Sequence, residues 1–314
     1  MSAPKTVFLF SGQGSQYYQM GRALFDVPGV FREQMLALDL IAQKRCGRSV
    51  IDAIYSAGKG EPFDRTLLTH PAIFMVEYAM AQHLIHAGVV PDMNLGASLG
   101  SFAAATVAGC MDVEEALITV IEQAKALEAS CTGGGMIAVL ANPALFEEPF
   151  LSAHSEIAGI TFHSHFAVSA ETAHLNAIER GLHDRGVAFQ RLAVSFAFHS
   201  RWIDPAQERF NIHLKTLGLS RGQLPLVCCD QTTTISTLPE DYFWRVIRRP
   251  MQFRDTIAAL EQQGTYRYID VGPSGTMATF IKYAVARTST SSTHATLSPF
   301  GNDQKNLAAL TNSR

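Results

Sequence analysis

The amino-acid sequence predicts an α/β fold with a mostly parallel sheet and one small insert of the βαβ type. Short runs of β-branched and apolar residues, typical of buried strands, alternate along the chain with longer helical patterns. Two glycine-containing loops each stand between a predicted strand and a predicted helix. Between residues 133 and 195 this pattern gives way to a shorter series of strands around one helix. Alternation of strand, loop and helix is typical of a parallel sheet covered by helices.

The first part of the chain supplies two of the strands. We predict strands over 6–10 and up to Leu95, and helices over 18–26, 71–87, 102–107 and 112–129. Residues 6–10 are β-branched and aromatic, and Gly12 and Gly14 follow them at once. Residues 102–107 are all small or apolar, which predicts a helix packed on every side. Asp112 and Glu115 have the spacing of a capping box.

The remaining elements complete the insert and the sheet. We predict strands over 136–140, 166–169, 188–194, 225–229 and 266–271, and helices over 172–185, 202–217, 242–246 and 253–263. The first three strands and the helix over 172–185 make the βαβ-type insert. We therefore place the insert at 132–198 and the core domain at 1–131 and 199–314.

Composition excludes several classes of protein. The 314 residues carry a formal net charge of −3, and 17% of them are charged, which argues against a disordered chain and against a nucleic-acid-binding protein. The apolar run near the N-terminus is too short for a secretion signal, and no stretch reaches the ~18 apolar residues of a membrane span. Five cysteines without a CxxC pair predict neither a disulfide framework nor a zinc site. We expect a soluble, metal-free monomer in the reducing cytoplasm.

The segment Gly96-Ala97-Ser98-Leu99-Gly100 has the G-x-S-x-G pattern of a nucleophile elbow. A predicted strand precedes it and a predicted helix follows it, so Ser98 would stand above the sheet at a helix N-terminus. Free N–H groups and the helix dipole favour negative charge at such a position. The alternative is a tight turn that needs small residues only for packing.

A nucleophilic serine needs a base, and His199 is the leading candidate. It ends an alternating segment over 192–198, at the kind of strand end where active sites of open α/β sheets collect. His163 and His165, inside the insert, are rival candidates. The loop at Gly12 lacks the third glycine of a dinucleotide site and the lysine of a P-loop. Its small residues would instead let a backbone N–H approach a reacting carbonyl.

Five segments together resemble the acyl-carrier-protein acyltransferase family, which includes malonyl transacylases of fatty-acid synthesis and the acyltransferases of polyketide synthases. The matching segments are Phe8-Leu9-Phe10-Ser11-Gly12-Gln13-Gly14-Ser15-Gln16, His70-Pro71-Ala72, Gly96 to Gly100, Ala197-Phe198-His199-Ser200 and Asp270-Val271-Gly272-Pro273-Ser274-Gly275. The resemblance implies an α/β-hydrolase-like core with a parallel sheet and a small ferredoxin-like inserted subdomain.

The resemblance also implies a mechanism. An acyl ester would form on Ser98, His199 would act as general base and then general acid, and the N–H groups of Gln13 and Leu99 would hold the oxyanion. A backbone carbonyl would orient the histidine, and the position four before Pro250, often Gln in relatives, is Val246 here. No tightly bound cofactor is implied, because the phosphopantetheine thioester or CoA is part of the substrate. The implied partners are acyl carrier protein domains of a polyketide synthase.

One departure from the family concerns the substrate. Members that use malonyl groups carry an arginine on the helix after the elbow, and ungapped counting from Ser98 places Gln123 there. A neutral amide cannot make the bidentate, charge-assisted contact of an arginine with a carboxylate, a loss of about 2–5 kcal/mol in a dry site. Lys125 lies on a different face of the helix.

Further departures change the neighbourhood of the elbow. Ala97 and Ser101 stand where relatives usually have His and Glu, His70 replaces a Gln, and Phe196 replaces a His. Phe198 is a bulky residue, as is the residue that relatives use at this position against α-branched malonyl units. We predict that the substrate-binding residues are Gln123, Phe198, Phe196, His70 and Ala97.

A glutamine in place of the arginine resembles the discrete acyl hydrolases of trans-acyltransferase polyketide pathways, which remove acyl groups such as acetyl from carrier proteins as a form of proofreading. We therefore predict hydrolysis of neutral acyl thioesters. The alternatives are a transacylase that loads malonyl or another acyl group from CoA, and an inactive interaction protein. A general lipase or esterase fits the loop at Gly12 less well. A basic cluster of Arg245, Arg248, Arg249 and Arg254 is either a carrier-docking patch or a solvated helix face.

Overall fold

The structure is a computed structural model that describes residues 3–311. The strands in this range are β1 (Lys5–Phe10), β2 (Met93–Gly96), β3 (Gly134–Val139), β4 (Glu156–Phe162), β5 (His165–Glu171), β6 (Phe189–Arg191), β7 (Leu226–Cys228), β8 (Thr233–Ile235), β9 (Tyr266–Asp270) and β10 (Ser292–Ala295). The α-helices are α1 (Arg22–Phe25), α2 (Val30–Cys46), α3 (Val50–Tyr55), α4 (Thr66–His86), α5 (Gly100–Val107), α6 (Val113–Ser130), α7 (Pro149–Ser152), α8 (Thr172–Asp184), α9 (Gln207–Leu214), α10 (Tyr242–Arg248), α11 (Phe253–Glu261), α12 (Thr276–Ala284) and α13 (Asp303–Thr311).

The larger sheet has six strands in the order β10-β9-β1-β2-β7-β8. Its neighbouring strands run parallel except β7 and β8. This confirms the predicted α/β core. In β1, Phe8 and Phe10 face one hydrophobic core and Val7 and Leu9 face another, because successive side chains of a strand point to opposite faces. Helices α2, α4, α5 and α6 cover the first face, and α11 and α12 cover the second.

The register of the two central strands places the functional loops together. Phe10, the last residue of β1, pairs with Gly96, the last residue of β2. Because the strands are parallel, the chain leaves both at the same edge of the sheet. The loop at Gly12 and the loop at Ser98 therefore meet there.

The second sheet is antiparallel, with the order β4-β5-β3-β6. Helix α8 packs on one face through Leu175, Ile178 and Leu182. The chain order of strand, short helical segment, two strands, helix and strand is that of a ferredoxin-like unit, as predicted. All four strands come from residues 134–191. The division at 132–198 stays a prediction.

Several predicted elements were wrong in position or missed. The helix predicted over 18–26 is helical only in α1, because Gly21 before it has a left-handed φ of +70°. Helix α4 begins at Thr66, ahead of the predicted start at 71. The prediction omitted α2, α3, α7, α12, α13, β4, β8 and β10.

The predicted capping box at the start of α6 forms only in part. The Asp112 side chain accepts a hydrogen bond from the N–H of Glu114 at 2.8 Å, so Asp112 is the N-cap. The Glu115 side chain does not accept the hydrogen bond from the Asp112 N–H that completes a capping box. Its carboxylate accepts from the N–H of Gly218 at 2.9 Å instead. The second half of the motif therefore ties α6 to the loop after α9.

Within residues 3–311, no helix has the length and apolar character needed to cross a membrane, and no group of His, Cys, Asp and Glu side chains is arranged to hold a metal ion. All five cysteines are free thiols.

Candidate active site

The loop around Ser98 is a strained turn between β2 and α5. Ser98 has a φ of +53°, a left-handed conformation that is rare for a residue with a side chain. Both flanking glycines are required by close backbone contacts: a Cβ on Gly96 would lie 2.4 Å from the Cα of Ser101, and one on Gly100 would lie 2.2 Å from the carbonyl oxygen of Phe10. The turn therefore holds Ser98 at the edge of the sheet, as a nucleophile elbow does.

His199 contacts Ser98 directly. Its Nε2 lies 2.8 Å from the Ser98 Oγ, and its Nδ1 lies 2.7 Å from the carbonyl oxygen of Arg249. Because a carbonyl only accepts, Nδ1 carries the proton and Nε2 is the acceptor for the Ser98 hydroxyl. The backbone N–H of His199 also donates to the carbonyl of Ile247 at 3.0 Å. The carbonyl that orients His199 thus belongs to Arg249. It does not belong to Val246, the position that the family pattern indicated.

Burial governs the charge of this histidine. His199 is 2% exposed, and its burial lowers the pKa from 6.5 to about 4. The hydrogen bond to Arg249 raises the pKa and the nearby Arg248 guanidinium lowers it, both with smaller effect. His199 is therefore neutral at neutral pH, as a general base must be.

The loop after β1 lies against Ser98 on the other side. A Cβ built on Gly12 would be 3.1 Å from the Cβ of Ser98. The backbone N–H groups of Gln13 and Leu99 form no hydrogen bond with any group in residues 3–311. Two free N–H groups that flank a nucleophile are the donors that an oxyanion hole requires.

Glu77 of α4 holds the loop after β1 in place through Ser11. The sequence did not identify it as a functional residue. It is fully buried in α4, and its Oε1 accepts hydrogen bonds from the Ser11 N–H at 2.6 Å and the Ser11 hydroxyl at 2.7 Å. Burial raises its pKa well above the ordinary value, with the Ser11 bonds opposing and Asp270 adding to the rise. The signal in the sequence was a single acidic residue in an otherwise apolar helix.

A cavity of about 280 Å³ opens beside the two side chains. It lies between the second sheet and the edge of the larger one, and Gln13, Ala97, Ser98, Phe198 and His199 line it. Its other walls are apolar or neutral and polar. Among the described residues that line it, none is Lys, Arg, Asp or Glu.

Three predicted substrate-binding residues lie behind this cavity rather than in its wall. Gln123 and His70 are each 1% exposed, and outside this pair their side-chain N and O atoms have no hydrogen-bond partner within residues 3–311. The His70 ring is 5.5 Å from that of Phe198, and the Phe196 ring is 6.3 Å from it. Burial lowers the pKa of His70 to about 3, and the neighbouring Gln123 amide opposes this. Phe198 thus separates a buried, neutral polar pair from Ser98.

The rival histidines do not reach Ser98. His165 lines the cavity, and its ring stacks on Phe162 at 5.0 Å. His163 is exposed and outside the cavity wall. Lys125, the other cation near Gln123 in sequence, pairs with Glu122 at 2.8 Å.

Three of the four arginines of the basic cluster form close ion pairs with Asp side chains, and a role of the cluster in carrier docking stays a prediction. Arg245 is 7% exposed and forms an ion pair with Asp230 at 2.7 Å. Arg248 pairs with Asp204, and Arg254 with Asp255. Arg249 is half-exposed and lies 4.0 Å from Asp230.

The chain is similar to known acyltransferases over nearly its whole length. Residues 7–313 match the family described as the acyl transferase domain. The chain is 42% identical over 304 residues to a Bacillus subtilis protein named polyketide biosynthesis acyltransferase homolog PksD, across 96% of this chain and 94% of that one. It is 40% identical over 310 residues to the homolog BaeD of Bacillus velezensis, across 98% and 96%.

Solved structures are similar over the same length. The acyl transferase domain of SpnD, solved with 2-(pent-4-yn-1-yl)malonyl, superposes with a TM-score of 0.88 at 29% identity, across 98% of this chain and 75% of that one. A malonyl CoA-acyl carrier protein transacylase from Coxiella burnetii shares the fold, with a TM-score of 0.81 at 20% identity across 99% and 100%.

Proposed function

The chain belongs to the acyl transferase domain family, and from that premise we propose that it forms an acyl ester on Ser98 and passes neutral acyl groups from carrier-protein thioesters to water. The observation that carries the proposal is the cavity beside Ser98 and His199, whose described lining contains no Lys or Arg and has two histidines, His165 and His199. Both of these histidines have pKa values lowered by burial. The cavity therefore suits an uncharged acyl group.

Acylation begins with Ser98. Its Oγ attacks the thioester carbonyl carbon while the hydroxyl proton moves to the Nε2 of His199, 2.8 Å away. The carbonyl oxygen becomes an oxyanion, which the free N–H groups of Gln13 and Leu99 stabilise. When the C–S bond breaks, the sulfur takes the proton from Nε2 and leaves as a thiol. The acyl group is then esterified to Ser98.

Deacylation uses the same groups with water. A water molecule gives a proton to Nε2 as its oxygen attacks the ester carbonyl, and the same two N–H groups hold the second oxyanion. The C–O bond to Ser98 breaks, Oγ recovers the proton from Nε2, and a free carboxylic acid leaves. A carrier thiol in place of water would give a transacylase, so the acceptor distinguishes the two candidate activities.

The buried pair behind Phe198 supports the preference for neutral acyl groups. Gln123 is uncharged, and the lowered pKa of His70 keeps its ring neutral. Neither side chain offsets the charge of a malonyl carboxylate. Burying an unpaired carboxylate in a cavity with neutral groups both in its wall and behind it would cost several kcal/mol, on the order of what removing one partner of a buried charge pair costs.

The test uses one carrier protein loaded in parallel with acetyl and malonyl groups. We expect acetyl carrier protein to lose its acyl group and give free thiol and acetate, while the malonyl form stays loaded, as followed by intact-protein mass spectrometry. Ser98→Ala is the control for background hydrolysis. Malonyl loading from malonyl-CoA without acetyl release would overturn the proposal in favour of the transacylase.

A further inference from the structure

His165 lines the same cavity as Ser98 but takes no part in the reaction steps described above. Its Nδ1 is buried and has no hydrogen-bond partner within residues 3–311. Its ring is fixed between Phe162, at 5.0 Å, and Phe280, at 5.3 Å. Neither ring nitrogen forms a hydrogen bond within the described residues; because Nδ1 is buried, Nε2 is the nitrogen that a substrate in the cavity can reach.

The position of His165 marks the solvent side of the cavity. Phe162 and His165 face each other across the turn between β4 and β5, and Phe162 also stacks on Tyr283 of α12 at 5.2 Å. The Tyr283 side chain is 61% exposed. We call Phe162, His165, Phe280 and Tyr283 the mouth cluster, because it extends from the cavity wall to the surface.

The mouth cluster offers a carrier-bound substrate a path from the surface to the cavity at Ser98. The acyl group of this substrate is attached through sulfur to a long, uncharged pantetheine arm that contains two amides and a branched apolar segment. The acyl end lies at the nucleophile, so the arm occupies the path from Ser98 to solvent. The walls of that path combine apolar side chains such as Met277 with neutral polar ones such as Thr161 and Thr276.

Resting on the proposed function, we propose that His165 is a positioning residue that binds the pantetheine arm through a hydrogen bond between its Nε2 and an amide of the arm. Burial lowers the pKa of His165, so the ring is neutral and offers one donor and one acceptor. An amide has the matching groups. The aromatic rings on either side of His165 contact the apolar part of the arm.

The test separates substrates that have the arm from one that lacks it. His165→Phe keeps an aromatic ring in the stack and removes both nitrogens. We expect KM for acetyl-pantetheine and acetyl carrier protein to rise about threefold to tenfold, the range for loss of a neutral hydrogen bond, with kcat little changed. Turnover of p-nitrophenyl acetate, which has no arm, should stay at the wild-type value.

Two further variants complete the experiment. His163→Phe changes an exposed histidine outside the cavity wall and should leave every parameter unchanged. His165→Gln restores a neutral donor and acceptor and should recover part of the KM. Equal losses for armed and armless substrates, or no loss for either, would overturn the proposal.

The experiment distinguishes failure of the hydrolase proposal from failure of the His165 proposal. If the wild-type protein released no acetate, formation of acyl-Ser98 from acyl-pantetheine would still be measurable by intact-protein mass spectrometry. The same variants would then be compared by the concentration of acyl-pantetheine at half-maximal acylation. An unchanged value in His165→Phe would reject the arm contact even though a different acceptor had been found.

Discussion

The Nδ1 of His199 donates to the main-chain carbonyl of Arg249 at 2.7 Å, so the base is oriented by backbone and not by a carboxylate. In a Ser-His-Asp triad an acidic side chain fixes the tautomer and also stabilises the imidazolium. Here the carbonyl fixes the tautomer but supplies only a dipole. Burial therefore has the largest effect on the pKa of His199, which it lowers to about 4.

The first prediction concerns the pH dependence of acylation. The neutral form of His199 is the base, so a pKa lowered to about 4 keeps the base active well below the ordinary value of 6.5. We expect kcat/KM for an uncharged acyl ester to stay level as the pH falls through 6.5 and to decline only near 4. A pH–rate profile in a stable buffer series checks this, and an acid limb centred near 6.5 would contradict it.

The lowered pKa also has a consequence for stability. The unfolded chain takes up the His199 proton below pH 6.5 while the folded chain does not until about pH 4. The unfolded state then binds more protons, so the free energy of unfolding decreases as the pH falls through this window. His199→Phe should reduce this decrease, measured by urea unfolding at several pH values.

The second prediction tests whether Ser98 and His199 act as a unit. Ser98→Ala and His199→Ala should each lower kcat by about 10⁴-fold or more, and the double variant should lose no more than the single ones, because each step needs both groups. Hydrolysis of acetyl carrier protein under single-turnover conditions provides the measurement. Additive losses would show that the two side chains act independently.

The third prediction concerns acyl selectivity. Gln123→Arg places a cation behind Phe198 and should raise the ratio of malonyl to acetyl esterification on Ser98 by about tenfold or more, through the attraction between its charge and the carboxylate in a site with little water. Gln123→Met, of similar length and uncharged, is the matched control and should leave the ratio unchanged. An arginine variant that folds, as judged by its Tm, but keeps the wild-type ratio would show that the acyl group does not reach this position.

The fourth prediction concerns the loop after β1. Glu77→Ala leaves the buried N–H of Ser11 without its acceptor, while the Ser11 hydroxyl still has the Ser15 hydroxyl at 2.9 Å, and it should cost about 1–3 kcal/mol of stability. It should also lower kcat, because Gln13 follows Ser11 closely in the same loop. Glu77→Gln keeps an oxygen that can accept from Ser11 and should retain most of the stability and most of kcat. Urea unfolding and acetyl release give the two measurements; unchanged values in Glu77→Ala would refute the anchoring role.

The fifth prediction concerns the buried ion pair near Arg249. Arg245→Met leaves Asp230, 3% exposed, without its 2.7 Å partner and should lower the free energy of unfolding by about 3–5 kcal/mol. Adding Asp230→Leu removes the unpaired charge and should restore much of that loss. If the double variant is no more stable than Arg245→Met, the loss is one of packing rather than of charge.

The sequence predicted the catalytic geometry better than it predicted the helices. The strand before Ser98 and the helix after it follow from local patterns, because both are short, buried and flanked by glycines that the turn requires. Helix α2 was missed although Phe31, Met35, Leu38 and Ala42 form a regular buried stripe. The exposed Leu36 and Leu40 add apolar positions outside the stripe and obscure its period.

Other features depend on contacts that no local pattern contains. Strand β4 has Gly159 at its centre, which weakens a strand signal; the structure explains this glycine by the close approach of Met251. The carbonyl of Arg249 has no side-chain signature, since every residue carries a carbonyl. Gln123, His70 and Phe196 were expected in the substrate wall from their place in the family pattern, and only the packing of Phe198 in front of them reveals that they lie deeper.

The Ser98–His199 hydrogen bond joins residues 101 positions apart, and the whole second sheet lies between them in the chain. Their contact therefore depends on that sheet, which returns the chain to the edge of the parallel strands. A serine-directed fluorophosphonate needs an activated hydroxyl. The fraction of labelled protein would therefore measure the fraction of molecules in which Ser98 and His199 are in contact. Labelling stoichiometry would serve as a quality assay for preparations of this protein, and it would detect partly assembled species that retain most of their secondary structure.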